Sequence, residues 1–364
     1  MPLIPAPDPI GIPAPPALLQ FLLVFTYILH SLFVGVVVGG SALALAGVSG
    51  GLRETGVGRV LGGHLAQALP VAMAFAITIG VAPLLFVQLL FGQFFYTGSV
   101  FMGWAWFSVI PVLIVGYYGL YAWALGQRDG VNRTAGLIVA LAAFAWVTFV
   151  MVNNMSLYAH PERFPALFNL RGTALNTGEP TLLPRYLHAL LNFLVIGASY
   201  ALAAGHVLTG TNAQAGQALR RMGLRWLIGS AVLQIPVSLW YYVALPVTLR
   251  HGTLQNLGAA VALLSGAVML VAWLAAERAR SRGLLAVVAS LFTVTMAVGL
   301  AIARHGVRMA SLQPAISPEA WKLAPQWPQF ILFALLLVAG LVFVGYLLWR
   351  YPWRSGLDET RGLA

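Results

Sequence analysis

The sequence predicts an all-α polytopic membrane protein, a bundle of nine transmembrane helices with the N-terminus outside and the C-terminus inside. Of the 364 residues, 60% are hydrophobic and only 8% are charged, a composition typical of a chain that lies mostly in lipid. Nine apolar segments approach or exceed the roughly 20 residues that a helix needs to cross a bilayer. Basic residues gather in alternate connections between these segments, and this pattern predicts the orientation.

The apolar segments define a membrane domain over 18–350. A Pro-rich segment, 1–17, precedes it and is predicted to lie as extended chain on the membrane surface, and a cytoplasmic tail, 351–364, follows it. The predicted spans are 18–47, 65–91, 101–126, 134–157, 186–209, 224–246, 255–276, 283–303 and 328–350.

Arginine decides the orientation, because basic residues accumulate on the cytoplasmic side of membrane proteins. The two longest connections, 158–185 and 304–327, then lie on the outer face, where they cap a site, dock a partner or form ordinary surface. In a bacterium this topology corresponds to the inner membrane. Most of the 20 basic residues fall on the predicted inner side: Arg53, Arg59, Arg128, Arg133, Arg220, Arg221, Arg225, Arg278, Arg280, Arg282, Arg350, Arg354 and Arg361.

The absence of cysteine from the sequence excludes several kinds of site. Disulfides, thiolate metal sites, iron–sulfur clusters and a covalently attached c-type haem all need cysteine. The net charge of +11 is explained by arginines at helix ends, so no nucleic-acid partner is predicted.

Histidine and the acidic residues are distributed differently along the chain. The nine carboxylates fall in predicted loops and tails, whereas several of the seven histidines lie in or beside predicted spans. An ionisable group inside a membrane is costly and therefore indicates function. Imidazole without carboxylate suits a metal-centred cofactor better than proton or cation transport, and we expect the chain to bind haem and to transfer electrons.

Three histidines on the predicted outer half are the candidate iron ligands. His30 lies inside the first span, His188 begins the fifth and His305 ends the eighth. For His305 a second role stays open, that of a neighbour of the haem propionates. Arg304 and Arg308, which lie beside it in the sequence, would pair with these propionates.

The other polar candidates carry a weaker signal. His251 and His160 lie in outer loops, and His64 and His206 lie towards the inner side. Asn153, at the end of the fourth span, is expected to join helices or to contact the cofactor, because an amide in lipid needs a partner.

Several short motifs resemble the large subunit of cytochrome bd quinol oxidase, in the same order along the chain. The resemblance implies haem ligation by His30 and His188. It also implies b-type haem, one or two groups or three at most. Because the family's quinol site is missing from this chain, the expected redox partner is a cytochrome c or another haem protein on the outer side. The matching motifs are Leu19-Gln20-Phe21 with Tyr27, His30, Leu32-Phe33-Val34 and Gly39, then Val152-Asn153-Asn154-Met155, Arg185-Tyr186-Leu187-His188, and Ala303-Arg304-His305-Gly306-Val307-Arg308.

The chain departs from that family's pattern at several functional positions. Gly103 and Pro111 stand near the positions of the family's two glutamates on the third helix, and Arg304 stands at its haem-ligating glutamate, with His305 adjacent. The quinol-binding loop is reduced to a few residues around His251. No clear counterpart exists for the family's ligand methionine, for which His251 could substitute.

These departures weaken the case for oxygen reduction and quinol oxidation and leave haem binding and electron transfer as the leading hypothesis. A protein of this kind would work inside a larger redox complex. The alternatives are a divergent terminal oxidase that reduces oxygen, and a non-redox transporter or structural membrane subunit. A buried site without carboxylates offers the oxidase no obvious proton relay.

Overall fold

The computed structural model describes residues 10–49, 56–279, 282–316 and 321–350. Within these ranges the chain is helical, and its only extended pairing is an isolated bridge between Ile12 and Leu323. The all-α prediction is therefore confirmed. Residues 1–9 of the Pro-rich segment, the predicted tail 351–364, and Arg53 and Arg280 lie outside the described residues. The helices are α1 Pro16–Ser49, α2 Gly56–Phe101, α3 Gly103–Asp129, α4 Thr134–Tyr158, α5 Phe164–Leu167, α6 Leu182–Leu208, α7 Ala213–Ala244, α8 Thr253–Arg278, α9 Arg282–Leu312 and α10 Trp327–Arg350.

The prediction of a multi-pass membrane protein is confirmed. Among the described residues, nine helices are long and apolar enough to cross a membrane, namely all the α-helices except the four-residue α5. Lipid requires this arrangement, because a backbone in the bilayer must satisfy its own hydrogen bonds. Which end of the bundle faces the cytoplasm stays a prediction.

Three helices extend well beyond the predicted spans: α2, which continues to Phe101, α7 at its beginning and α9 at its end. The differences in α7 and α9 place arginines that were assigned to connections on helices. α7 begins at Ala213, where Asn212 caps it by accepting a 3.0 Å hydrogen bond from the Ala215 amide. Arg220, Arg221 and Arg225 thus lie on a helix and not in a connection. α9 continues to Leu312, so the first part of the predicted loop 304–327, including the motif from Arg304 to Arg308, is helical.

α2 bends in its C-terminal part at Phe91, whose φ of −133° and ψ of 27° are not helical. The bend interrupts the internal hydrogen bonds of the helix, and the carbonyl of Leu90 accepts one from the indole of Trp321 at 2.9 Å. The ring of Phe91 is turned into the bundle, where it is buried.

Small residues allow close approach of the helices that carry the candidate ligands. A Cβ at Gly39 of α1 would lie 2.3 Å from the carbonyl oxygen of Phe193 on α6, and a Cβ at Gly299 of α9 would lie 2.5 Å from the amide nitrogen of Ala262 on α8. Such glycine contacts are the usual way in which membrane helices come together. They hold α9 against α8 on one face, and other parts of the α9 surface pack against α1 and α6.

The described part of the Pro-rich segment pairs with the chain before α10. The amide of Ile12 donates to the Lys322 carbonyl at 2.9 Å, and the Ala324 amide donates back to the Ile12 carbonyl at 2.9 Å. Gly11 has a φ of +79°, and a side chain there would meet the Lys322 carbonyl. This contact ties the beginnings of α1 and α10 to the same end of the bundle.

Candidate functional site

His30 lies half-buried on α1, where its ring reaches the backbone of α2. Its Nδ1 is 2.9 Å from the carbonyl oxygen of Ala76. A carbonyl oxygen can only accept, so Nδ1 carries the proton and Nε2 of the neutral ring keeps its lone pair. Within the described residues, Nε2 has no hydrogen-bond partner.

The close approach of His30 to α2 depends on a glycine. A Cβ at Gly80 would lie 2.7 Å from the Cε1 and Nδ1 atoms of the His30 ring, so a larger residue at this position would displace the ring. Sequence reasoning missed both Ala76 and Gly80. The available signal was a glycine inside an apolar helix, which often marks a close contact.

His305 has a different environment, on the face of α9 that packs against α1. Its Nε2 is 3.2 Å from Oε1 of Gln20, and its Nδ1 is 3.5 Å from a guanidinium nitrogen of Arg308. Arginine can only donate, so Nδ1 accepts and Nε2–H donates to the amide oxygen of Gln20. Both ring nitrogens are engaged, which favours the propionate-neighbour role over ligation.

Arg304 lies one helical position before His305 and reaches deeper along α1. Its guanidinium carbon lies 4.1 Å from the ring centroid of Tyr27, which is a cation–π contact. A guanidinium nitrogen of Arg304 also contacts the sulfur of Met155 on α4. Arg304 thus joins three helices through contacts that carry no negative charge.

A small cavity lies between α1 and α9, beside Arg304 and His305. We call it the α1/α9 pocket, and it is lined mainly by Leu23 and Tyr27 of α1 and by Arg304, His305 and Arg308 of α9. The lining residues recur every three or four positions on each helix and therefore share one face. The guanidinium of Arg308 also lies 5.8 Å from the ring centroid of Phe91, at the bend of α2.

His188 lies half-buried near the beginning of α6, beside an aromatic ring of α7. Its ring centroid is 6.4 Å from that of Tyr241 on α7, and Arg185 places its guanidinium 5.5 Å from the same Tyr241 ring. The hydroxyl of Tyr186 donates to the Ala145 carbonyl on α4 at 3.1 Å. Among the described residues, the imidazole of His188 has no hydrogen-bond partner.

Asn153 is fully buried and holds the outer connection against the bundle. Its Oδ1 accepts a 3.3 Å hydrogen bond from the backbone amide of Asn176, whose side chain donates to Ser156 at 3.0 Å. Arg163 donates to Asn176 at 3.0 Å and pairs with the buried Glu179 at 3.0 Å. Part of the connection 158–185 is thus a docked cap, and Asn153 joins α4 to this connection, whereas its expected role was to join helices or to contact the cofactor.

The remaining histidines lie apart from these clusters. His251 is exposed in the turn before α8. His160 is 2.9 Å from Glu162 in the outer connection, whereas His64 Nε2 is 3.1 Å from the Tyr200 hydroxyl. His206 pairs with Glu277 at 3.3 Å, close to the end of α8.

Two of the three candidate ligands, His30 and His305, lie at different depths in the bundle. Gln20, which meets His305, is ten residues from His30 on α1, and this spacing corresponds to about 15 Å along the helix axis. The two histidines therefore cannot both bind one iron from these positions. What the fold brings together is His305 with Arg304 and Arg308.

No model of a known protein family matches this chain, and no curated protein sequence matches it significantly. The chemistry of the described residues must therefore carry any assignment. The ring of His30 presents the donor that haem iron needs, with the other nitrogen held by a carbonyl as in metal-binding histidines. The arginines of the α1/α9 pocket present the charge that carboxylates need. On both counts the residues present fit a haem.

Proposed function

We propose that this chain is a haem b-binding membrane subunit that transfers electrons within a larger redox complex, with His30 as an axial ligand. The observation that carries the proposal is the hydrogen bond from Nδ1 of His30 to the Ala76 carbonyl at 2.9 Å. It leaves Nε2 as a lone-pair donor in an apolar interior, which is the arrangement of a haem-binding histidine whose other ring nitrogen is held by a hydrogen bond.

The haem would supply one-electron transfer through its iron when bound. The chain's own residues hold, orient and enclose it. The Ala76 carbonyl fixes the tautomer and orientation of the His30 ring, and Gly80 provides the space beside it. His188, with no partner on its ring among the described residues, is the candidate ligand of a second haem or the second ligand of the first.

The partner that we propose is a cytochrome c, or another haem protein, on the outer side of a bacterial inner membrane. It rests on the predicted orientation, because the candidate ligands lie in the outer half of the bundle. The docked connection held by Asn153 and Asn176 offers a structured outer surface for such a partner.

The first experiment is a reduced-minus-oxidised spectrum and a pyridine haemochrome of the purified full-length chain, expressed with haem supplied. We expect a b-type signal. His30→Ala should lose most of it, and free imidazole added to the variant should restore it, because imidazole refills the ligand position without the covalent link.

The matched control is His64→Ala, which removes another partly buried histidine, one that is hydrogen-bonded to a tyrosine. This variant should keep the signal. A wild-type chain without any Soret band would refute the proposal. A band that shifts with carbon monoxide would reveal an open iron position and favour the terminal oxidase, and a band indifferent to carbon monoxide would favour electron transfer alone.

A further inference from the structure

The described acidic residues do not pair with the cations of the α1/α9 pocket. Arg308 is only 6% exposed. Burial of an unpaired guanidinium in an apolar bundle is strongly unfavourable. The acidic residues that the structure describes are each paired elsewhere: Asp129 with Arg133, Glu162 with His160, Glu179 with Arg163, and Glu277 with Arg220.

The described residues around the pocket also have an excess of hydrogen-bond donors. Nε of Arg308, Nε of Arg185 and the hydroxyl of Tyr158 are buried without an acceptor. Native proteins rarely leave buried donors unmatched unless a bound group satisfies them.

The groups that do contact the two arginines are neutral. Tyr27 presents its ring face to Arg304, Met155 its sulfur, and Phe91 its ring to Arg308. His305 accepts from Arg308 through Nδ1 and is itself oriented by Gln20. These contacts position the guanidinium groups beside the cavity without neutralising them.

We propose that the α1/α9 pocket binds an anionic oxygen group, a carboxylate or a phosphate, through Arg304 and Arg308, with His305 as a positioning residue. The anion has two sources with this chemistry: a propionate of the haem, in which case the inference rests on the proposed function, or the phosphate of a membrane lipid. Planar guanidinium groups bind both through paired hydrogen bonds.

The test for the haem source compares haem with its dimethyl ester, in which both propionates are uncharged. Each is titrated into the haem-free full-length chain and into Arg308→Gln. If the anion is a propionate, esterification should weaken binding by about 10- to 100-fold in the wild type, as expected for loss of a charged hydrogen bond, and far less in Arg308→Gln. Arg250→Gln is the control, since the guanidinium of Arg250 donates to the backbone carbonyls of Leu245 and Val243.

The test for the lipid source does not need haem, so it stands even if the chain binds none. Dihexanoyl phosphatidic acid is added to the haem-free chain, with dihexanoyl glycerol as the uncharged comparison. A lipid phosphate in the pocket should raise the Tm of the wild type and of Arg250→Gln, and should leave that of Arg308→Gln unchanged.

A third variant separates an external anion from the chain's own carboxylate. Glu319 lies in 317–320, outside the described residues, and follows α9 in the sequence. Glu319→Gln should keep the wild-type response to the ester or to the phosphatidic acid. The proposal is overturned if Arg308→Gln responds like the wild type to both probes, or if Glu319→Gln by itself reproduces the behaviour of Arg308→Gln.

Discussion

At the scale of single residues, a hydrogen bond to one nitrogen of a histidine determines what the other nitrogen can do. The Nδ1–H group of His30 donates a hydrogen bond to the Ala76 carbonyl, and Nε2 keeps a lone pair that can bind a metal ion. His305 donates through Nε2 to Gln20 and accepts at Nδ1 from Arg308. Two histidines that look equivalent in the sequence are therefore suited to different tasks, ligation and the positioning of a cation.

Gly80→Ala tests the packing behind His30. The new methyl group would lie 2.7 Å from the ring, so the imidazole must move away from the Ala76 carbonyl. We expect a loss of most of the haem, measured as Soret absorbance per protein. We also expect a Tm at least about 2 °C below that of the control, the shift that about 1 kcal/mol produces in a larger domain.

The control for this prediction is Gly63→Ala on the same helix, where an added Cβ meets nothing within 4 Å. It should retain haem and gain a little stability, because alanine favours the helix more than glycine does. Equal behaviour of the two variants would show that the space beside His30 is not needed.

At the scale of helices, one carboxylate contradicts the prediction that the acidic residues lie in loops and tails. Glu277 lies in the last turns of α8, where its Oε1 is 3.3 Å from Nε2 of His206 on α6 and 3.7 Å from Nε of Arg220 on α7. The ring of His206 also stacks on Trp273, with centroids 5.8 Å apart. A charge cluster therefore joins three helices at the end of the bundle opposite the pocket.

Glu277→Gln tests how much this cluster stabilises the bundle. Arg220 is only 3% exposed and would keep a buried charge without its carboxylate, so we expect destabilisation on the order of 2 kcal/mol, seen as a lower Tm in detergent. Glu162→Gln is the control, because Glu162 is 65% exposed and surface ion pairs contribute little. A Tm loss no larger for Glu277→Gln than for the control would contradict the prediction.

At the scale of the whole molecule, the geometry defines two ends but not which of them faces the cytoplasm. The α1/α9 pocket, the docked connection and the pairing of Ile12 with Lys322 lie at one end, and the cluster of Glu277 lies at the other. The asymmetric arginines predict that the first end is outside. The proposed outer redox partner depends on this orientation.

Single cysteines test the orientation, because the natural chain contains none. Thr177→Cys places a thiol at an exposed position in the connection before α6, and Gln214→Cys places one at an exposed position in the first turn of α7, beyond the other end of α6. In intact cells, a membrane-impermeant maleimide should label Thr177→Cys at once and Gln214→Cys only after permeabilisation. The reverse pattern would show that the orientation is opposite to the predicted one, and it would remove the support for a cytochrome c on the outer side.

The sequence by itself determined the fold class and the number of spans, because lipid leaves an apolar chain almost no alternative to helices. It also singled out His30, His188, His305, Arg304 and Arg308, since ionisable groups are conspicuous in apolar segments. Composition could not reveal their contacts. Gln20 and His305 are in contact although 285 positions separate them in the chain. Glu277 and Arg220 are close only because the helices that carry them pack together. α9 continues past Arg304, where a loop was predicted. Only the tertiary structure decided which ring nitrogen of each histidine makes a hydrogen bond, and which arginines have no acidic partner among the described residues. Both depend on atoms that distant parts of the chain bring together.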